Sequence, residues 1–72
     1  MKDYINRMID ERCELSEKWV ELVDYLNRYS KNLDTTERYL MEEQSEAMEK
    51  YKNILSARIT HALQKVQNED EE

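Results

Sequence analysis

The sequence contains neither glycine nor proline in its 72 residues. Tight β-turns and left-handed helix caps are built mostly from these residue types, and average usage would supply about five glycines and four prolines. A β-rich fold is therefore strongly disfavoured, and a glycine-rich phosphate-binding loop is excluded. The sequence predicts an all-α chain that forms one small domain at most, because so short a chain cannot build a second core.

Charge limits what the chain can bind. Eleven Lys and Arg residues against 17 Asp and Glu residues give a net charge of −6. We predict a helical domain over residues 1–67 and an acidic disordered tail over 68–72. No basic face is evident, so we do not expect binding to duplex nucleic acid. The mean hydropathy of −1.06 argues against membrane insertion, and a single cysteine, Cys13, indicates a reducing cytoplasm.

Residues of the first half recur in steps of three and four. The stripe consists of Ile5, Met8, Arg12, Leu15, Trp19, Leu22, Leu26, Tyr29 and Leu33, of which all but Arg12 are apolar. This spacing predicts a first helix from about Asp3 to about Lys31. We expect Asn32 to form a left-handed cap after it. Asp34 followed by Glu37 resembles the capping box that starts a helix, and Thr35 is a rival cap one position on.

The second half repeats the spacing and predicts a helix from about Thr35 to about Val66. Its predicted seam is Met41, Gln44, Met48, Tyr51, Leu55, Arg58, Ala62 and Val66, and a second row adds Leu40, Ala47, Ile54, Ile59 and Leu63. The short break between the helices predicts an antiparallel two-helix hairpin. Because a single pair of helices leaves most of their faces exposed to solvent, we expect a homo-oligomeric helical bundle.

Polar residues on the predicted seams are the candidate functional residues. Folding at the turn places Arg58 near Met8, with Tyr51 and Glu11 close by. In one interpretation Arg12 and Arg58 reach solvent or pair with acidic residues and set the register of the helices. In the other, the arginines bind the phosphate of an anion or nucleotide, and Tyr51 stacks on a base.

Other polar residues give weaker indications. Gln44 either fixes the register of the helices or contacts a ligand. His61 is the only histidine, so the sequence lacks the paired-histidine spacing of metal sites. No pattern marks a pair of carboxylates with shifted pKa values. We therefore expect no catalytic residues, no metal and no cofactor.

Two longer patterns resemble those of a known family. They are Arg7-Met8-x-x-Glu11-x-x-x-Leu15-x-x-Lys18-x-x-x-Leu22 and Glu37-x-x-Leu40-x-x-x-Gln44-x-x-x-Met48-x-x-Tyr51-x-x-Ile54-Leu55-x-x-Arg58-Ile59. Over residues 4–59 the chain resembles small tailed-phage proteins named after an open reading frame of a crAss-like phage. The resemblance implies a ligand-binding set of Arg7, Glu11, Lys18, Gln44, Tyr51 and Arg58.

The size and layout are similar to those of the anti-CBASS helical-hairpin sponges of phages. Those proteins oligomerise and sequester the cyclic nucleotides that bacterial immune systems use as signalling molecules. The resemblance implies a counter-defence protein in the cytoplasm of an infected bacterium, which holds a small cyclic nucleotide without cleaving it and is no enzyme. The charge of −6 favours an alternative, an acidic helical module that inhibits a host defence or replication protein by binding it.

Overall fold

The protein folds into a rod made of two antiparallel helices. The computed structural model describes the backbone of residues 3–71 and the side chains of residues 3–68. Helix α1 spans Asp3–Tyr29, a 3-10 turn spans Ser30–Asn32, and helix α2 spans Thr35–Glu71. The rod measures 58 × 14 × 14 Å. The predicted all-α hairpin is confirmed, and neither described helix carries an apolar stretch long enough to cross a bilayer.

Helix α2 extends further than the sequence predicts. It ends at Glu71 instead of near Val66, so helical backbone continues into the 68–72 segment. The residues after Val66 are Gln, Asn, Glu and Asp, which weaken a helix only slightly and contain no breaker. Glu72 lies outside the described residues, and the division into a hairpin domain and a disordered tail stays a prediction.

The turn uses a geometry that differs from the expected one. Helix α1 ends at Tyr29, and the Leu33 N–H donates to the Ser30 carbonyl at 3.4 Å. Leu33 then adopts extended angles, φ −90° and ψ 145°. The prediction of a left-handed Asn32 is wrong, since the described residues include none with positive φ. A 3-10 turn followed by one extended residue reverses the chain without the left-handed conformation.

Of the two candidate caps, Asp34 caps the start of α2. Its Oδ1 atom accepts a hydrogen bond from the Glu37 N–H at 2.7 Å. We expect Asp34→Ala to lower the free energy of unfolding by about 1 kcal/mol, because the helix loses this cap. Urea denaturation followed by circular dichroism measures the change. Thr36→Ala, an exposed position in the same turn, is the control; equal effects of the two variants would contradict a capping role.

The buried core is confined to the open end of the hairpin. Among the described residues, the buried side chains are Ile5, Met8, Leu55, Ile59 and Ala62. Nearer the turn, the residues between the helices are only half-buried. Burial of apolar surface is the main stabilising contribution in a folded chain, so this hairpin is stabilised mostly at one end.

The shape leaves much surface uncovered. The accessible surface is 5807 Å², whereas a compact protein of 8.8 kDa exposes about 4,800 Å². The radius of gyration is 16.7 Å, against about 11 Å for a compact chain of this length. Both values fit a chain that assembles with further copies, and the assembly itself stays a prediction.

The seam of α2 runs along a different line from the predicted one. Met41, Met48, Leu55 and Ala62 are buried or half-buried as predicted, but the positions between them are Ser45, Lys52 and Ile59 instead of Gln44, Tyr51 and Arg58. Those last three side chains are exposed. Ile59 faces α1 in place of Arg58 because burying an aliphatic side chain is favourable, while burying an unpaired guanidinium is costly.

Trp19 helps to fix this line. Its indole N–H donates to the Ser45 carbonyl at 3.1 Å, and the Lys52 ammonium stands 4.3 Å from the centre of its ring. A cation over an indole face is attracted to it. The predicted seam of α1 is confirmed except at Tyr29, which is exposed.

Candidate functional site

Tyr51 and Glu11 join the two helices on one face of the hairpin. The Tyr51 hydroxyl lies 2.7 Å from each oxygen of the Glu11 carboxylate and donates to it. Both side chains are exposed. This contact agrees with the antiparallel pairing predicted from the sequence. It places the Tyr51 side chain beside α1.

The contact changes the pKa of Tyr51. The hydrogen bond to Glu11 raises this pKa above the ordinary value of 10.0, desolvation and the negative charge of Glu11 raise it further, and Arg58 acts in the opposite direction. Because the pKa of Tyr51 is raised in the folded state, its hydrogen bond to Glu11 stabilises the fold at pH values below the ordinary pKa of tyrosine. This stabilisation is lost as the pH rises through the raised pKa of the folded state.

We expect Glu11→Gln to bring the pKa of Tyr51 back toward 10.0, since the amide carries no charge and is a weaker acceptor. The ultraviolet absorbance of the phenolate is followed as the pH rises. Subtracting the titration of the same protein with Tyr51→Phe leaves the titration of Tyr51 alone. Glu14→Gln, an exposed position on the same helix, is the matched control. An unchanged pKa in Glu11→Gln would show that the hydrogen bond does not form in solution.

A groove opens between the helices at their open end. Its volume is about 440 Å³, and it is lined by Tyr4, Met8, Ile54, Ala57, Arg58, His61, Ala62 and Lys65. Five of these eight residues are apolar or aromatic. The others include Arg58, His61 and Lys65 on successive turns of α2, and the described lining contains no Asp or Glu. In a chain with a net charge of −6, Arg58 and Lys65 bring two positive charges to a cavity of small-molecule size. The carboxylate of Glu11, bound to Tyr51, lies close to Arg58 outside the described lining.

A second depression lies at the turn end. Its volume is about 560 Å³, and it is lined by Lys18, Glu21, Leu22, Tyr25, Leu33, Glu37, Leu40 and Met41. Leu40 and Ile54 are two heptads apart, as are Lys18 and Tyr4. Residues at heptad spacing share a side of a helix. Both depressions therefore lie on one side of the rod.

We call this side the groove face. It carries Tyr4, Glu11, Lys18 and Tyr25 from α1 and Glu37, Leu40, Gln44, Ala47, Tyr51, Ile54, Arg58, His61 and Lys65 from α2. Five of the six predicted ligand residues belong to it. Arg7, the sixth, is exposed on α1 next to it.

One hairpin brings together only part of the predicted set. The residues that lie close together are Glu11, Tyr51 and Arg58. Lys18 lines the turn-end depression instead. Gln44 precedes Arg58 by 14 residues, which is about 21 Å along the helix. Arg12 reaches toward Ser56, with 3.5 Å between Nη1 and Oγ, which favours the register interpretation for that arginine.

Sequence reasoning missed Tyr4, His61 and Lys65. The signal for two of them was present, because Arg58, His61 and Lys65 are spaced by three and four residues and so share a helix face. Tyr4 comes from the other helix. Its place in the groove depends on how α1 and α2 pack.

Comparison with known proteins gives a family for the chain. The model of the Sequestin family matches residues 2–61, a range that contains all the groove-face residues except Lys65. No curated protein and no solved structure gives a significant match. The crAss-like phage relationship and the likeness to anti-CBASS sponges stay predictions. Because the match spans most of its length, the chain belongs to the Sequestin family, whose name points to the sequestering of a partner.

Proposed function

We propose that the protein sequesters a small cyclic nucleotide that a bacterial immune system uses as a signalling molecule, and that it is a phage counter-defence protein. The family name supports sequestration. The observation that carries the choice of ligand is the groove in which Arg58, His61 and Lys65 lie together without an acidic residue in the described lining. An anionic ligand of small-molecule size fits that chemistry.

The basic residues supply contacts to phosphate. The planar guanidinium of Arg58 can donate two parallel hydrogen bonds to phosphate oxygens, and the Lys65 ammonium adds a point charge. Both side chains are exposed, so they can reach a ligand without leaving the core. They are seven residues apart, about 10 Å along α2, which allows two phosphate groups to be held at once.

Aromatic and apolar side chains supply contacts to the base. The Tyr4 ring is 45% exposed at the groove, and stacking of a base on an aromatic ring contributes about 1–3 kcal/mol. Met8, Ile54 and Ala62 supply apolar lining. The Tyr51 ring, held by Glu11, offers a second aromatic surface close to Arg58.

These groups bind and orient a ligand, and sequestration needs no more than that. A protein that binds the signalling nucleotide without cleaving it lowers the free concentration of that nucleotide, provided that the binding sites outnumber the nucleotide molecules. We therefore propose binding without cleavage, in the cytoplasm of the infected cell, by a homo-oligomer of hairpins. In such an assembly a second copy can cover the ligand where a single groove leaves it open.

Native mass spectrometry tests the proposal. The purified protein is measured alone and with a panel of cyclic dinucleotides, cyclic trinucleotides and cyclic ADP-ribose isomers. We expect a discrete oligomer that gains whole numbers of one ligand. Binding of no cyclic nucleotide, together with stoichiometric capture of one host protein, would overturn the proposal in favour of the acidic protein-binding module.

A further inference from the structure

The groove face is the most apolar uncovered side of the rod. Among the described residues, nine large hydrophobic side chains are exposed, and five of them lie on this face: Tyr4, Tyr25, Leu40, Tyr51 and Ile54. Leu40, Ala47 and Ile54 form a row along α2, one per heptad, with the small Ala47 in the middle. An exposed apolar row of this kind is typical of a helix–helix interface.

The charges beside this row change sign at its middle. Glu37 and Glu43 lie on the turn side of Ala47, whereas Lys50 and Arg58 lie on the side of the open end. All four side chains are exposed. The α2 part of the face would therefore be complementary to a copy of itself that runs in the opposite direction.

We propose that a second copy of this chain packs antiparallel on the groove face, with a two-fold axis passing close to Ala47. The axis places Leu40 against Ile54 of the second copy, and Ala47 against its counterpart, where small side chains permit close approach. The same operation brings Glu43 to Lys50 across the interface. This inference rests on the self-assembly in the proposed function, and it requires no nucleotide.

The available area is sufficient for a dimer. With the axis at Ala47, the two rods overlap from the turn to about His61, some 28 residues or about 42 Å of helix. Across a rod 14 Å wide, this overlap covers about 600 Å² on each copy. Together the copies bury about 1,200 Å², which is at the lower end of stable interfaces.

The arrangement also reunites predicted ligand residues. Gln44 lies far from Arg58 within one hairpin, but three residues before Ala47 it comes opposite Tyr51 of the second copy. Tyr25 and Leu40 of the second copy cover the Ile54 end of the groove. Arg58, His61 and Lys65 remain at its rim, so the ligand site is open at its basic end and closed by the second copy at the other.

Disulfide trapping tests the axis and the direction. Because Cys13 is free and exposed, all variants carry Cys13→Ser. We expect Ala47→Cys to form covalent dimers under mild oxidation, since disulfides require Cα atoms within about 7 Å. An equimolar mixture of Leu40→Cys and Ile54→Cys chains should form the mixed dimer at least about tenfold faster than either self-paired dimer, read by intact mass. Asn53→Cys, exposed on α2 and off the row, is the control.

Charge reversal tests the complementarity without cysteines. We expect Glu43→Lys or Lys50→Glu alone to raise the dimer dissociation constant about tenfold, because each dimer then contains two like-charged pairs. The double variant should restore dimerisation, as measured by sedimentation equilibrium, with circular dichroism as the check on folding.

Two results would overturn the proposal. One is trapping of Ala47→Cys no faster than of Asn53→Cys, and the other is pairing of Leu40→Cys with itself, which indicates a parallel dimer. Neither experiment includes a nucleotide. A failure of the dimer proposal can therefore be distinguished from a failure of the protein to bind the immune signal.

Discussion

Replacement of Arg58 by alanine is expected to weaken binding of the proposed nucleotide ligand about 100-fold. A bidentate guanidinium–phosphate contact contributes two charge-assisted hydrogen bonds, each worth about 1.5–3 kcal/mol, and a 100-fold loss of affinity corresponds to about 2.7 kcal/mol. The Arg58 side chain is exposed, so its loss leaves the buried core intact. Isothermal titration calorimetry measures the affinity, and native mass spectrometry measures the oligomer.

Two variants serve as controls for Arg58. Arg28→Ala removes an arginine outside the groove, paired with Asp24 at 3.1 Å, and should leave the affinity unchanged. Arg58→Lys keeps the charge but loses the planar fork, so its affinity should lie between those of the wild type and Arg58→Ala. Loss of the oligomer together with binding would show instead that Arg58 sets the register of the assembly.

Replacement of Leu55 by alanine is expected to lower the free energy of unfolding by about 3 kcal/mol. Leu55 is 0% exposed, and truncation of a buried leucine typically costs about 2–5 kcal/mol. A chain of this length has a total stability of only about 4–11 kcal/mol. Urea denaturation followed by circular dichroism should therefore show a large shift of the midpoint.

Leu63→Ala is the matched control for Leu55. It changes the same residue type on the same helix, but its side chain is 41% exposed, so we expect a loss below about 1 kcal/mol. Equal losses for the two variants would mean that α2 packs against α1 along a different line.

The fold followed from local features of the sequence. The absence of Gly and Pro and the three-four spacing predicted both helices, and Asp34 with Glu37 predicted the start of the second. The line of contact on α2 could not be predicted in the same way. Leu55 fits two overlapping heptad stripes, and the choice of Ile59 over Arg58 depends on contacts with α1, among them the hydrogen bond of Trp19.

The candidate site was only partly predictable for the same reason. Antiparallel pairing of the helices was enough to place Glu11, Tyr51 and Arg58 together. Tyr4 joins the groove from the other helix, so its role appears only once both helices are packed. Gln44 was assigned to the seam because it fits the three-four spacing, yet it is exposed on the groove face.

The central claim is that the nucleotide is held intact, and a release experiment tests it most directly. The cyclic nucleotide that binds in native mass spectrometry is incubated with excess protein, and the free nucleotide is quantified before and after the protein is denatured by heat. Sequestration predicts that the free nucleotide falls nearly to zero and that the intact cyclic form is fully recovered after denaturation. Recovery of linear products, or no fall in the free nucleotide, would contradict it.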